Sequence, residues 1–222
     1  MMKIKVIACE VMKEEILSIE PLPHEEFEFI SMDYHLYPKK LGRELQNIID
    51  KSLGYSRIIL AFGLCGGAAR DLKATNCALT IPRVHDCISV FLAPDKGYVC
   101  DFEKEKGIFY LTCGWMITEK SILSDHQRIL EKHGEKKALS VLNRMYDSYK
   151  KVLFIHTDRP FQDEEVLQSK QIASLLNVKY ETIKGRIDFI KKIVRGPWDD
   201  KNFINIDPLG VITEEDFGIS AK

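Results

Sequence analysis

Two short segments place cysteines beside glycine or histidine, where they could do chemistry. Cys65 lies within the turn 63–67, which reads Gly-Leu-Cys-Gly-Gly, and His85 and Cys87 form an H-x-C pair further along the chain. Thiolate and imidazole are ligands that zinc prefers, and a catalytic zinc keeps its fourth position open. Iron also accepts these ligands. With Cys9 added, the sequence predicts a zinc or iron site held by Cys9, Cys65, His85 and Cys87.

The glycine turn has three interpretations. Gly63, Gly66 and Gly67 permit positive φ angles and close approach of the backbone, so their amides could bind a cofactor or another anion. The turn could instead hold Cys65 as a thiolate at the start of a following helix. It could also be only a tight turn. Its spacing matches neither a P-loop nor a dinucleotide fingerprint, so phosphate binding is the least favoured of the three.

Charged residues beside the cysteines suggest catalytic roles. Arg83 could hold an anionic group of a substrate, although an arginine more often forms a surface salt bridge. Glu10 and Asp86 are expected to orient a ligand or to move a proton. Glu10 could also act only as an acidic residue at a helix start. His35 follows a predicted strand and could reach the same edge of the sheet.

Two other interpretations of the cysteines stay open. Free cysteine is often buried as a small apolar residue, and Cys77 and Cys100 fit that description best because no glycine, histidine or carboxylate pattern surrounds them. Alternatively, Cys65 is a metal-free nucleophile, with His85 as its base and backbone amides of the glycine turn as oxyanion donors.

The predicted elements bring these residues to one edge of a sheet. Apolar runs that are typical of buried strands end at or just before the cysteines, at residues 4–9, 57–62, 78–81 and 107–112. Helical patterns separate them, so the fold class is α/β, with a mainly parallel doubly wound sheet or two Rossmann-like units. Ligands of such sheets bind beyond the carboxyl ends of the strands.

The second half of the chain begins with a long charged segment of helical pattern. Residues 117–151 are charged and helical in pattern with a break at Gly134, and a second α/β series follows. It comprises a strand at 151–156, a helix at 164–176, a strand at 178–181, a helix at 183–194 and an edge strand at 202–206. We therefore predict an N-terminal unit, 1–116, that carries the site, and a C-terminal unit, 117–222, packed with it as one globular domain.

Composition narrows the function classes. The 222 residues include 32 basic and 33 acidic side chains, and a net charge of −1 offers no basic field for nucleic acid. The N-terminus lacks the pattern of a signal peptide, and no apolar run approaches the ~18 residues of a membrane span. We therefore predict a cytoplasmic protein without membrane or nucleic-acid partners. Its six cysteines are expected to be reduced thiols, since a chain of this size needs no disulfides to fold.

An ordered set of motifs resembles a known family. The segments are Ala8-Cys9-Glu10, residues 33–41, Gly63-Leu64-Cys65-Gly66, residues 81–88 and residues 110–115. In this order they are similar to the domain of unknown function 1638 family, which occurs in methanogenic archaea and anaerobic bacteria. The resemblance extends through Gly185 and Gly196-Pro197-Trp198. It implies a site at Cys9, Cys65, Arg83, His85, Asp86 and Cys87, and a lesser role for Cys113.

The resemblance also implies a setting, because members of that family often lie near corrinoid-dependent methyltransferase systems. Zinc methyltransferases that move a methyl group from cobalamin to a thiol use an H-x-C pair, which is a chemical analogy only. We expect a metal-binding enzyme of anaerobic one-carbon or corrinoid-linked methyl metabolism. It would bind a small-molecule ligand, with a corrinoid as a further cofactor, and a corrinoid protein or methyltransferase as partner. The alternatives are a metal-free cysteine enzyme and a non-catalytic accessory protein that binds a corrinoid or a metal.

Overall fold

The computed structural model describes residues 3–92, 106–117, 121–157 and 163–218. Its chain forms two compact units: unit 1 comprises Met1–Cys100 and Arg186–Lys222, and unit 2 comprises Asp101–Gly185. Unit 1 is therefore built from two separate segments of the chain. The predicted division at residue 116 stays a prediction.

Strands and helices alternate along both units. The strands are β1 (Ile4–Cys9), β2 (Glu25–Ile30), β3 (Arg57–Ala61), β4 (Ala78–Pro82), β5 (Ile108–Leu111), β6 (Lys151–His156), β7 (Lys179–Lys184) and β8 (Phe203–Ile206). The α-helices are α1 (Lys13–Leu17), α2 (Pro38–Lys51), α3 (Cys87–Leu92), α4 (Cys113–Met116), α5 (Ile122–His133), α6 (Glu135–Met145), α7 (Asp163–Leu175) and α8 (Ile187–Arg195). Short 3-10 helices span Glu10–Met12, Met32–Leu36 and Glu215–Phe217.

The sheet of unit 1 has the strand order β2-β1-β3-β4-β8. β1 pairs in parallel with both β2 and β3, so that Ala8 lies between Phe29 and Ala61. The chain therefore moves from β1 to one side and then crosses to the other. Right-handed crossovers in opposite directions place α1 and α2 on opposite faces of the sheet. Such a reversal of strand order opens a crevice beyond the carboxyl ends of β1 and β3, where doubly wound folds bind ligands.

The core of unit 1 lies on both faces of its central strands. β1 and β3 are buried almost without interruption, as expected of parallel strands that helices cover on both sides. α2 begins at Pro38, whose fixed φ suits the first turn, and buries Leu41, Leu45 and Ile49 along one face. α8 contacts α1, α3 and β3.

The two edges of this sheet differ. β2 carries acidic side chains, and Lys5 from β1 forms an ion pair with Glu28 at 2.7 Å. At the other edge β8 pairs antiparallel with β4, which confirms the predicted edge strand near residues 202–206. Because the antiparallel β8 needs no crossover helix, the tail can cover β4 directly.

Unit 2 has a three-stranded parallel sheet in the order β5-β6-β7. Its core joins Leu111, Val152 and Phe154 from the strands with Leu142 and Ile172 from the helices. Gly134, with φ of 77°, separates α5 from α6 and confirms the predicted break. Residues 183 and 184, expected to begin a helix, instead end β7, because Ile183 pairs with Ile155 and Lys184 with His156.

The predicted fold class is confirmed: the protein is α/β, with two mostly parallel sheets interleaved with helices. The five cysteines among the described residues are free thiols, and Cys100 lies outside the described residues. In the same part of the chain, no helix has the length and apolar character needed to span a membrane.

Candidate functional site

A cavity of about 290 Å³ lies at the carboxyl ends of β1 to β4, where the reversal of strand order predicts a crevice. Three cysteines from three different strand ends line it. The lining residues are Cys9, Ser31, Met32, Tyr34, His35, Pro38, Leu41, Phe62, Cys65, Gly66, Asp86 and Cys87. Among the residues that the structure describes, no lysine or arginine lines this cavity.

The glycine turn gives Cys65 an unusual backbone. Cys65 has a φ of 48°, Gly66 of 67° and Gly67 of 89°. A left-handed conformation is costly for a residue with a side chain, and two neighbouring glycines adopt it without that cost. Successive positive φ angles cannot continue as an α-helix, and short turns occupy residues 65–71 instead. The helix expected to follow this turn is therefore not there, and no helix N-terminus stabilises a Cys65 thiolate.

Backbone hydrogen bonds hold the turn against the loop after β4. The amide of Leu64 donates to the carbonyl of Val84 at 2.9 Å, and the amide of Cys65 donates to that of His85 at 2.8 Å. Gly63 makes this approach possible, since a Cβ there would lie 2.5 Å from the backbone nitrogen of Asp86. The role that the structure gives Gly63 is therefore close packing of two loops.

The two loops bring the thiols together. The sulfurs of Cys65 and Cys87 lie 3.9 Å apart, within hydrogen-bond distance for sulfur. Cys9 lines the same cavity as these two thiols. Hydrogen bonding with Cys65 and with Cys9, together with burial, raises the pKa of Cys87 well above its ordinary value. The protonated form of Cys87 is therefore favoured.

Cys9 is the thiol whose ionised form is favoured. The hydrogen bond from Cys87 lowers the pKa of Cys9 from its ordinary 9.0, and the backbone amide of Val11 acts in the same direction. Burial and the nearby charge of Glu10 oppose this shift. Cys9 lies directly before the 3-10 helix Glu10–Met12, which explains why an amide points towards its sulfur.

The two predicted acidic residues hold local structure around the thiols. Asp86 accepts hydrogen bonds from both the amide and the hydroxyl of Ser89, each at 2.7 Å, and so caps the start of α3. Glu10 accepts a hydrogen bond from the amide of Met32 at 3.3 Å. This contact ties the end of β1 to the short helix that carries Tyr34 and His35. Their predicted role in proton transfer stays a prediction.

Arg83 points towards the C-terminal tail. Its guanidinium donates to the backbone carbonyl of Asp216, to that of Asp200 at 3.0 Å and to that of Phe203 at 3.2 Å. Three carbonyls thus accept from three of the five N–H donors of the guanidinium. The contacts indicate that Arg83 fastens the tail to the loop after β4, and anion binding by Arg83 stays a prediction.

The two candidate histidines are placed differently. The side chain of His85 is exposed and is not among those that line the cavity, whereas its carbonyl accepts the bond from Cys65. His35 lines the cavity, and partial desolvation lowers the pKa of its imidazole, with the charge of Asp86 acting in the opposite direction. Tyr34 also lines the cavity but was not predicted from the sequence, although its position shortly after a parallel strand, which it shares with His35, could have indicated it.

The remaining cysteines lie elsewhere. Cys77 is buried ahead of β4, and burial raises its pKa. Cys113 belongs to unit 2, where its thiol donates to Glu165 at 3.4 Å. Across residues 3–92, 106–117, 121–157 and 163–218, no group of three or more His, Cys, Asp or Glu side chains is placed as it stands to hold a metal ion. The predicted ligand set of Cys9, Cys65, His85 and Cys87 stays a prediction.

A comparison with protein-family models finds one described as a protein of unknown function, DUF1638, which matches residues 29–194. The matched range includes Cys65, His85 and Cys87, and Cys9 precedes it. No curated protein and no solved structure matches the chain.

Proposed function

The chain belongs to the DUF1638 family, and we propose that this protein binds a zinc or iron ion through the thiolates of Cys9, Cys65 and Cys87. The observation that carries the proposal is that one cavity at the ligand-binding edge of the sheet is lined by all three cysteines, with the Cys65 and Cys87 sulfurs 3.9 Å apart. The family description gives no activity, so the chemistry of these side chains has to supply it.

Thiols in this arrangement suit a soft cation. Thiolate sulfur is a preferred ligand for zinc and for iron. Three neighbouring thiols cannot all ionise without a positive charge among them, as the raised pKa of Cys87 indicates. A bound cation removes that penalty, since a coordinating thiol is deprotonated outright. Metal binding would need rotation of the thiol side chains, because they do not form a ligand set as they stand.

A histidine is the natural fourth ligand. His85 is the candidate from the H-x-C pair, and His35 is the candidate that the cavity favours, because it lines the same space as the thiols. Its lowered pKa keeps the imidazole neutral, which is the form that binds a metal. Individual substitution of the two histidines distinguishes these candidates.

The cavity limits what else binds. A volume of about 290 Å³ is at the lower end for small-molecule sites, which run from about 300 to 1,000 Å³. With Asp86 and thiols in its wall and no basic lining residue in the described ranges, it favours a small neutral or cationic ligand. A corrinoid would then be presented at the mouth of the cavity by a partner protein. This role in one-carbon or methyl metabolism is a proposal that rests on the family resemblance.

A metal-free enzyme is the second candidate, and one observation favours a specific version of it. The pKa of Cys9 is lowered, whereas that of Cys87 is raised. Its sulfur would be the nucleophile, with Cys87 as the hydrogen-bond donor that stabilises the thiolate. The nucleophile of this candidate is thus Cys9 in place of the predicted Cys65.

Elemental analysis of anaerobically purified protein tests the metal site. We expect close to one zinc or iron per chain in the parent, and loss of that metal in Cys9→Ser, Cys65→Ser and Cys87→Ser. Cys77→Ser and Cys113→Ser are the matched controls, since these thiols lie outside the cluster, and they should keep the metal. His35→Ala and His85→Ala then identify the fourth ligand.

Two results would overturn the proposal. One is a parent protein without metal even after reconstitution with zinc or ferrous iron under reducing conditions. The other is equal metal content in the cluster variants and in the two controls. Rapid alkylation of Cys9 in metal-free protein, lost in Cys9→Ser, would then support the nucleophile.

A further inference from the structure

The three thiols of the cavity have an arrangement that goes beyond metal binding. The sulfurs of Cys87 and Cys65 lie 3.9 Å apart, and Cys9 lines the same cavity as these two thiols. A disulfide bond is about 2.05 Å long, so the two measured sulfurs need to approach by about 2 Å to bond. We propose that Cys9, Cys65 and Cys87 form a redox centre in which Cys87 pairs first with Cys65 and then exchanges to Cys9.

The backbone keeps two of the partners in place for this reaction. The hydrogen bonds from Leu64 to Val84 and from Cys65 to His85 join the two loops just beside the thiols. Gly63 packs directly against the backbone of Asp86. Because the loops are already side by side, rotation of the Cys65 and Cys87 side chains can bring the sulfurs together. A rigid frame of this kind favours closure within one chain over reaction between two chains.

Exposure sets the order of the steps. Cys65 and Cys87 are half-buried and line the cavity, whereas Cys9 is buried. An oxidant that enters the cavity therefore reaches Cys65 before it reaches Cys9. Cys9 lines the same cavity as Cys87, and this shared space gives the buried thiol access to the exchange.

The oxidant can be a small disulfide, such as oxidised glutathione. The Cys65 thiolate attacks one sulfur of the small disulfide, which forms a mixed disulfide and releases one thiolate. Cys87 then attacks the Cys65 sulfur and releases the second thiolate, which leaves a Cys65–Cys87 bond. Two protein thiols are oxidised, the small disulfide is reduced to two thiols, and the protons of the protein thiols end on the products or in solvent.

The exchange to Cys9 needs no further oxidant. Its thiolate attacks the Cys87 sulfur, forms a Cys9–Cys87 bond and frees Cys65 as a thiolate. Cys65 can then react with another molecule in the cavity. A metal bound by the same sulfurs and a disulfide among them exclude each other, but the redox reaction does not depend on metal binding.

Disulfide mapping of the whole chain tests the proposal. Protein that has been reduced, stripped of metal with a chelator and desalted anaerobically is titrated with oxidised glutathione, trapped with acid and mapped by mass spectrometry. We expect an intramolecular Cys65–Cys87 bond in the parent as the main product. Cys77→Ser, Cys100→Ser and Cys113→Ser should give the same product.

The cluster variants separate the two steps. In Cys9→Ser the Cys65–Cys87 bond should be the only intramolecular product, whereas the parent should also give a Cys9–Cys87 bond as a minor product of the exchange. In Cys87→Ser the intramolecular bond should be lost, and a stable glutathione adduct should remain on Cys65. Urea unfolding of each variant, repeated with alanine substitutions, verifies that the chain is folded.

A persistent glutathione adduct on Cys65 of the folded parent, without an intramolecular bond, would overturn the proposal. Absence of any Cys9–Cys87 bond in the parent throughout the titration would overturn the exchange step. Both results are independent of the metal analysis, because the redox assay uses metal-free protein. A protein that forms the Cys65–Cys87 disulfide but binds no metal would contradict the proposed function and still support the redox centre.

Discussion

Both sheets of this protein place a cysteine just beyond a parallel strand, but they use it differently. In unit 1, Cys9 ends β1 and lines one cavity together with Cys87, which follows β4 in the chain. In unit 2, Cys113 follows β5 and its thiol contacts the carboxylate of Glu165. The order β2-β1-β3 reverses direction at β1, whereas β5-β6-β7 runs in one direction. A crevice is expected only where the order reverses.

The difference teaches that a strand end by itself does not make a site. The reversal lets loops from β1, β3 and β4 converge without a crossover helix between them, so several thiols can share one space. In unit 2, where the order runs one way, α4 after β5 contacts α7 after β6, and Cys113 donates to Glu165 on α7. Single substitutions in each unit test this contrast, beginning with the largest expected effect.

Gly63→Ala should disrupt unit 1 most. Its new Cβ would lie 2.5 Å from the nitrogen of Asp86 and 2.8 Å from the carbonyl carbon of His85, so the two loops must move apart. We expect the free energy of unfolding to fall by about 3 kcal/mol, as for severe overpacking. Urea unfolding measures this loss, and disulfide mapping should show less Cys65–Cys87 bond.

Gly54→Ala is the matched control for that change. Gly54 has φ of 79°, and a Cβ added to it would have no neighbour within 4 Å, so the variant should lose only about 1 kcal/mol from backbone strain. Its disulfide yield should equal that of the parent. Equal yields in both glycine variants would contradict the role of Gly63 in holding the loops together.

Arg83→Met should have the next largest effect. It removes a guanidinium that donates to the carbonyls of Asp200, Phe203 and Asp216, and the loss should be about 2 kcal/mol. Arg70→Met is its control, because the Arg70 side chain is 51% exposed and pairs with Glu214, and it should lose less than about 1 kcal/mol. Chemical denaturation gives both values. An Arg83→Met protein of normal stability that fails to bind ligand would instead support the anion-binding prediction.

Cys113→Ala tests the isolated thiol of unit 2. It removes the hydrogen bond to Glu165 and should cost about 1 kcal/mol, while Cys113→Ser keeps a donor and should cost less. Thermal or urea unfolding distinguishes the two variants. If alanine and serine gave the same stability, the contact between Cys113 and Glu165 would contribute nothing.

The pH dependence of alkylation should show the smallest difference. Thiolates react and thiols do not, so the rate at each cysteine rises through its pKa. The pKa of Cys9 is lowered from 9.0 and that of Cys77 is raised, so Cys9 should reach its half-maximal rate at the lower pH. Peptide mass spectrometry of metal-free protein measures both midpoints.

A pair of variants traces the cause of that difference. Cys87→Ala removes the donor to Cys9 and should move the Cys9 midpoint to higher pH, whereas Cys87→Ser should restore part of the shift. The pH of half-maximal alkylation of Cys77 should be the same in both variants as in the parent. If the alkylation midpoint of Cys9 were the same in the parent and in both Cys87 variants, the cause of its lowered pKa would lie outside the thiol cluster.

The convergence of cysteines was predictable from the sequence, and their final arrangement only in part. The alternation of apolar runs and helices indicated parallel strands, and the residues directly after parallel strands lie at one edge of the sheet. That rule located Cys9, Cys65, Cys87 and His35. It could not fix which way His85 points, because side chains in a loop follow no periodicity.

Other features depend on distant parts of the chain. The carbonyl partners of Arg83 lie 117 to 133 residues further along, so no local pattern could reveal them. The alternation of elements also does not show which strands share a sheet, so two sheets and one were equally compatible with it. Ile183 and Lys184 have the pattern of a helix start, and pairing with β6 made them strand.

Unit 1 is made from two segments, and this matters while the chain is being synthesised. β1 to β4 and the three cavity thiols leave the ribosome first, followed by all of unit 2 and only then by α8 and β8. Until β8 is made, the hydrogen-bonding edge of β4 has no strand to cover it, and such open edges promote aggregation. A nascent chain that stalls before residue 186 would therefore carry every thiol of the candidate site on a sheet that is still open at one side.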